Sequence, residues 1–275
     1  MTLATLSEVL QPCLRDGTAV AGLVVLGWED ARAFVAAAEA EARPVILQAG
    51  PGCRAHMPLE VLGAMFRSLG QAASVPVVAH LDHGEDLAVC LRAIDAGFTS
   101  VMYDGSALPL AENIARTAEI AKRAQEQGVS VEAELGYVGY HQGAASVGTK
   151  AEEVAQFWAE TGVDALAVSV GNSHLMTQSG AEVDWARLAA IQAAAPDLAL
   201  VLHGGSGLAP DLRRQIVRQT SVCKVNIGTE LRMAFGQALR AAVLQTPERF
   251  DRNQLLSETI APLTLAARAA MRSLS

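Results

Sequence analysis

Cysteine is sparse and scattered. Cys13, Cys53, Cys90 and Cys223 form no close pair along 275 residues. That argues against a disulfide frame and against a cysteine-based zinc site, and it fits a reducing cytosol. Long apolar runs are missing too: residues 19–28, the longest candidate, contain two glycines and fall well short of the roughly 18 residues of a membrane span. The first residues, Met-Thr-Leu-Ala-Thr-Leu-Ser-Glu, lack the basic start of a secretion signal, so a cytoplasmic protein is expected. Basic residues are outnumbered, 21 against 29 acidic, and form no run. Nucleic acid and anionic membranes are therefore excluded as expected partners. An anionic substrate would have to be held by local backbone amides and a metal. No G-x-G-x-x-G turn follows an early strand, which removes the usual mark of a doubly wound nucleotide-binding sheet.

What is present is alternation. Hydrophobic residues make up 51% of the chain, enough for a sizeable core. Short apolar runs alternate with segments of helical period. An opening helix is predicted over 3–15, ending at Gly17. Strands follow over 19–26, 44–48, 75–79, 100–103, 130–135, 165–170, 199–202 and 223–227. Between and after them come helices over 28–42, 58–73, 85–96, 110–127, 151–161 and 185–195, one starting near Pro210, and one over 230–244 capped by Thr229. A last helix over 258–273 should fold back over the barrel or onto a neighbouring subunit. Eight strand–helix units with every helix a crossover imply a (β/α)8 TIM barrel with an extra helix at each end, one domain over 1–275.

A barrel brings the C-terminal ends of its strands to one mouth, where such enzymes keep their chemistry. The stretch 75–86, Val-Pro-Val-Val-Ala-His-Leu-Asp-His-Gly-Glu-Asp, runs from buried strand into His80, Asp82 and His83. One such cluster reads equally well as a capped strand end. The pattern recurs, however, at Asp104, Glu134, His174 and His203, and four of the chain's six histidines stand at these ends. Three imidazoles with an open position suit a catalytic divalent metal, zinc being favoured by nitrogen ligation. The ligand set is His83, His174 and His203. His80 lies further back and is read as supporting a ligand or as structural. Asp104 and Glu134 are read as a second or alternate metal position, or as hydrogen-bonding partners of the mouth loops. After strands 7 and 8, His203-Gly-Gly-Ser-Gly and Asn226-Ile-Gly-Thr-Glu lead into helices. Such loops are the usual phosphate site of barrels.

The motifs His-Leu-Asp-His (80–83), Val-Met-Tyr-Asp-Gly-Ser (101–106), Val-Glu-Ala-Glu-Leu-Gly (131–136), His-Gly-Gly-Ser-Gly (203–207) and Lys-Val-Asn-Ile-Gly-Thr-Glu-Leu (224–231) resemble the class II, zinc-dependent ketose-bisphosphate aldolases, which include fructose- and tagatose-bisphosphate aldolases. The resemblance runs from about strand 2 to helix 8. It implies reversible aldol cleavage of a ketose phosphate to dihydroxyacetone phosphate and an aldehyde. It also implies one catalytic Zn2+ on His83, His174 and His203, Asp104 and Glu134 at a second metal position, and Asp82 as the catalytic aspartate. The 1-phosphate would lie on Gly204, Gly205, Ser206, Asn226, Ile227, Gly228 and Thr229. A phosphorylated sugar and further copies of the chain, as a dimer or tetramer, are the expected partners; dependence on a monovalent cation is left open.

Several positions depart from the family pattern. Its first strand carries Phe-Asn and a further Asn where this chain has Leu-Val-Val-Leu (23–26). Its substrate-facing Ser after strand 2 is replaced by Gly-Pro-Gly (50–52), and its His-Gly after strand 6 by His174-Leu175. The position two before Glu230, Asp in fructose-type and Ala in tagatose-type enzymes, is Gly228. The loop over 137–149 has no carboxylate, and its one group titrating near neutrality is His141. His141 is read either as an inert histidine at a loop tip or as the carrier of the proton to the enediolate carbon. These changes put a tagatose-like bisphosphate, or another ketose 1-phosphate, at least level with fructose 1,6-bisphosphate. A zinc barrel hydrolase using the same histidines with Asp82 as base, and a non-catalytic sugar-phosphate binder, are the rivals.

Overall fold

The computed structural model describes residues 2–139 and 143–275. Eight parallel strands close into a barrel: β1 (Val20–Val24), β2 (Val45–Ala49), β3 (Val77–Gly84), β4 (Ser100–Tyr103), β5 (Ser130–Leu135), β6 (Ala165–Val168), β7 (Ala199–Leu202) and β8 (Val222–Ile227). Each pairs with the next, and β8 returns to β1 through Val20↔Lys224 to Leu23↔Ile227. A parallel barrel strand is covered on both faces, by the lumen and by the outer helices, which is why these segments read as nearly continuous apolar runs. The outer layer is built from residues such as Leu23, Phe34, Leu47, Phe66, Val101, Phe157 and Ile216. The lower lumen is narrow and takes small or slim residues, Ala165, Ala167, Ala199 and Val201 among them.

The helix Leu6–Asp16 plugs the bottom of this lumen with Leu6, Val9, Leu10 and Cys13. It starts at a capping box, Thr5 with Glu8, and ends at Gly17 in the left-handed region. The sequence-based start at residue 3 is therefore too early. Leu3 and Ala4 instead pair with Val77 and Val78 of β3 as a short ninth strand.

Other boundaries also shift. The helix after β8 runs Thr229–Gln245 with Gly228 at its cap, so Thr229 is its first residue and does not cap it. Gly50 precedes a short helix, Pro51–His56, with Pro51 in its first turn, in a stretch to which the sequence reading assigns no helix. The last helix begins earlier, at Arg252, capped by Asp251, and runs to Arg272. It packs on the helix Trp28–Glu41 and on Thr229–Gln245, where Arg268 and Arg272 both reach Glu41. Among the described residues no helix is long and apolar enough to cross a membrane.

Candidate metal and phosphate site at the barrel mouth

Strand β3 delivers two adjacent side chains to the mouth because its ladder with β4 is interrupted. Leu81 pairs with Val101 and Gly84 with Tyr103, so Asp82 and His83 together face the single residue Met102. Such a bulge re-aims side chains that strict alternation would send to opposite faces. His83 sits at φ +50°, a left-handed conformation that costs a non-glycine residue energy and persists only where its surroundings enforce it. Arg54, on the short helix Pro51–His56, does the enforcing. Its Nη1 donates to the carbonyls of Ala49 (2.9 Å) and Asp82 (2.6 Å), and its Nη2 to that of His83 (2.9 Å). Nothing in the sequence marked Arg54, because its role depends on a helix that the Gly-Pro-Gly stretch concealed.

Three imidazoles meet here. The ring centroids of His83 lie 4.7 Å from His203 and 5.3 Å from His174, and those of His174 and His203 are 5.4 Å apart. One ring nitrogen of each lies within 4.8 Å of the others. His174 is held by its backbone N–H, which donates to the carbonyl of Gly139 at 2.8 Å. His83 Nδ1 is bonded to Asp104 Oδ2 at 2.7 Å, which leaves Nε2 as its ligand atom. His203 Nε2 is bonded to Glu132 Oε1 at 3.2 Å, which leaves Nδ1. Both of these nitrogens, and Glu134 Oε2, are buried without a hydrogen-bond partner among the described residues.

Electrostatics favours a cation at this point. Burial disfavours a charged His83, but Asp82, the hydrogen bond the ring donates to Asp104 and the charge of Glu134 outweigh it and push the ring up to about 10. Burial, with the charge of His83, holds His174 down to about 4 and His203 well below its ordinary value. Glu134, buried and close to Asp104, is pushed up to about 8. Carboxylates crowded around buried imidazoles with unpartnered nitrogens fit a divalent metal, which replaces a lone proton as the compensating charge.

The placement of Asp104 and Glu134 is compatible with either role considered for them. With His83 they form a second group of donor atoms within 4.8 Å. Both also bind the mouth loops: Asp104 Oδ1 accepts from Ser106 N at 3.1 Å and Oγ at 2.6 Å, and Glu134 Oε1 accepts from Val138 N at 3.0 Å. His80 does not reach the mouth; it is fully buried beneath it, bonded to Ser100 and Lys224. His141 lies outside the described residues.

The glycine loops form the other wall. Gly204 has φ +68° and Gly205–Gly207 make a single 3-10 turn. A Cβ on Gly204 would collide with the Ser173 carbonyl, and one on Gly205 would meet Val225 Cγ1 at 2.5 Å and the Asn226 carbonyl at 2.8 Å. Ser206 Oγ accepts from Glu230 N at 3.2 Å, tying this loop to the start of the helix after β8. Arg213, buried, strengthens the tie. Its Nε donates to the carbonyls of Gly205 and Leu208, both at 3.0 Å, while its guanidinium forks onto Glu230 at 2.9 and 2.8 Å. The sequence reading missed Arg213 and Glu230. Of the proposed cradle residues, Ile227 sends its side chain into the outer core and pairs with Leu23 in the ladder, and it is not among the residues that line the cavity. One cavity of about 230 Å³ joins the two walls, lined by Asp82, His83, His174, Ser206, Thr229 and Arg232 among others. Asn226 Nδ2 lies 3.4 Å from Asp82 Oδ1 within it.

A closed parallel barrel with a histidine–carboxylate cluster beside glycine loops defines a class of barrel enzymes, and comparison with known proteins narrows it. The family model "Fructose-bisphosphate aldolase class-II" matches residues 4–275. A fructose-bisphosphate aldolase of Streptococcus pyogenes is 38% identical over 250 residues, covering 87% of this chain and 83% of that protein. A 6-phospho-5-dehydro-2-deoxy-D-gluconate aldolase of Shouchella clausii is 35% identical over 269 residues, covering 95% and 90%. Among solved structures, the YdjI aldolase of Escherichia coli K12 superposes with a TM-score of 0.85 at 28% identity, covering 99% of this chain and 97% of that one. The chain belongs to the class II fructose-bisphosphate aldolase family. Its activity is that of an aldolase, a lyase.

Proposed function

We propose that this aldolase is zinc-dependent and cleaves a ketose 1-phosphate reversibly to dihydroxyacetone phosphate and an aldehyde. The observation that carries the proposal is the cavity lined by His83, His174, Asp82 and both glycine loops, with His203 within reach of the two lining histidines. His83 through Nε2, His203 through Nδ1 and His174 would hold the metal. Once bound, it supplies Lewis acidity toward the substrate carbonyl and the enediolate that cleavage leaves behind. The three-nitrogen donor set favours zinc.

Asp82 is the base. Burial raises its carboxyl, but the charge of His83 and the neighbouring cations outweigh that and lower it, so it stands ionised. It takes the proton from the hydroxyl that becomes the aldehyde oxygen as the C–C bond breaks and its electron pair passes to the enediolate. Asn226 orients Asp82 through the carboxylate contact described above. The enediolate carbon then takes a proton, and we assign its delivery to His141. The backbone of residues 204–207 and 226–229 would hold the 1-phosphate, kept rigid by Arg213 and Glu230.

Around the other half of the substrate the wall carries Val24, Gly50 and Gly228, which offer no side-chain hydrogen bond to a sugar hydroxyl. The relatives' names span a fructose bisphosphate and a phosphorylated sugar acid. We accordingly place a tagatose-like bisphosphate or another ketose 1-phosphate at least level with fructose 1,6-bisphosphate. We also take the chain to act in the cytoplasm as a homo-oligomer, for which the exposed Leu244 and Phe250 on and after the helix Thr229–Gln245 offer apolar contact surface.

The test is a retro-aldol screen over phosphorylated ketoses with coupled detection of dihydroxyacetone phosphate, with and without chelator. Turnover that a chelator abolishes and zinc restores is expected. Full turnover in protein shown to be metal-free, or equal turnover of an unphosphorylated ketose, overturns the proposal.

A further inference from the structure

Beneath the mouth, four groups that the chemistry above does not touch stand in single file, none of them with exposed surface: Ser100, His80, Lys224 and Glu132. Ser100 Oγ is 2.8 Å from His80 Nδ1, and His80 Nε2 is 3.0 Å from Lys224 Nζ. Lys224 Nζ is 2.5 Å from Glu132 Oε2, and Glu132 Oε1 is 3.2 Å from His203 Nε2. The file ends on the ring whose other nitrogen faces the histidine cluster.

These contacts determine where every proton sits. An ammonium group can only donate, so His80 Nε2 accepts and its Nδ1–H donates to Ser100. Glu132 accepts from Lys224 at one oxygen, and its other oxygen accepts from His203 Nε2–H. His203 is thereby locked as the tautomer whose Nδ1 carries a lone pair. That Nδ1 lies 3.5 Å from Glu134 Oε2, a distance at which the two make no hydrogen bond. Lys224 fixes Glu132 in turn, and removing one member of a buried pair leaves the other costly. Lys224 reaches the lumen because β8 carries one extra residue against β7: Leu200 pairs with Val222 and Val201 with Lys224, so Cys223 is unpaired and the strand turns.

We propose that Lys224 and Glu132 are positioning residues that preset His203 as a neutral Nδ1 metal ligand. This rests on the reading that His83, His174 and His203 hold a divalent metal. A carboxylate that fixes the far nitrogen of a ligating histidine typically changes metal affinity by about 10–100-fold when it is lost.

The test uses the full chain and two readouts that need no substrate. One is zinc affinity by competition against a chromophoric chelator. The other is the 15N spectrum of histidine-labelled, metal-free protein, which reports each ring's tautomer. In Glu132→Gln the amide oxygen must face Lys224, so its NH2 faces His203 Nε2 and forces the proton onto Nδ1. A folded Glu132→Gln protein should bind zinc about 10–100-fold more weakly and show His203 in the Nδ1–H form. Lys224→Met should weaken zinc binding in the same direction. Zinc affinity within about twofold of wild type in folded Glu132→Gln, with the tautomer unchanged, overturns the proposal. So does a wild-type spectrum with His203 already Nδ1–H, and that measurement stands even if Lys224→Met fails to fold. Wild-type protein that binds no zinc overturns the metal assignment instead, and the metal-free tautomer still decides the relay. A wild-type protein that shows both readouts as expected but no aldolase turnover would count against the proposed function and not against the positioning role of Lys224 and Glu132.

Discussion

His83 Nδ1 and Asp104 Oδ2 are 2.7 Å apart, and that bond aims the opposite nitrogen of the His83 ring at His174 and His203. Asp104 itself is half-buried, which opposes its ionisation, yet the bond and charge of His83 hold its carboxyl well below the usual carboxylate range. A carboxylate in this position orients a ligand and strengthens it as a donor. Asp104→Ala should therefore weaken zinc binding by about tenfold while the stoichiometry stays at one metal per chain. A drop from two metals per chain to one, read by elemental analysis, would show instead that Asp104 belongs to a second cation site.

Asp82 is the chain neighbour of the proposed ligand His83, and the bulge brings both side chains to the mouth. Asp82→Ala should retain zinc and substrate binding and lose roughly 10²–10⁴-fold in kcat, the usual worth of general acid–base catalysis. A rise in KM with kcat intact would make Asp82 a binding residue.

Gly205 leaves no room for a side chain against Val225 and the Asn226 carbonyl. Gly205→Val should displace the loop, raise KM for a phosphorylated ketose and leave the zinc content unchanged. The comparison is metal analysis beside steady-state kinetics on the same preparation; an unaltered KM would remove the loop from the phosphate site.

Asp30, near the start of the helix Trp28–Glu41, accepts from Leu26 N at 3.2 Å, and burial pushes its carboxyl up from 3.8 to about 6. A raised carboxyl favours the folded state when protonated. Its stabilising contribution is thus complete below the unfolded value near 3.8 and is lost as pH rises through about 6. The shift corresponds to about 3 kcal/mol at most. Thermal denaturation across pH 4–7 should show this slope in the wild type and a flatter one in Asp30→Asn. Parallel curves would mean that Asp30 titrates alike in both states.

His141 belongs to the one loop the resemblance expects to carry a carboxylate. His141→Ala should slow exchange of solvent hydrogen into dihydroxyacetone phosphate with zinc content unchanged. Wild-type exchange and cleavage in that variant would assign the proton to another group, Glu134 being the nearest alternative.

The order of elements and the mouth residues were legible in the chain itself. Parallel strands buried on both faces must be apolar along their length, so His83, Asp104, Glu134, His174 and His203 stand out where each run stops, and the closed barrel follows from eight repeats of one unit. Glycine loops before two adjacent helices were readable for the same local reason. What tertiary structure alone decided is how those groups are aimed and held. The bulges at Asp82–His83 and at Cys223 are properties of pairing between strands, and no single strand's alternation encodes them. Arg54 and Arg213 look like ordinary surface residues until folding brings Arg54 the carbonyls of Asp82 and His83 on β3 and brings Arg213 the carboxylate of Glu230. Glu132 shows the division most clearly: an acid inside a buried strand demands a partner, but Lys224, 92 residues away, becomes that partner only when β8 closes the barrel and bulges inward.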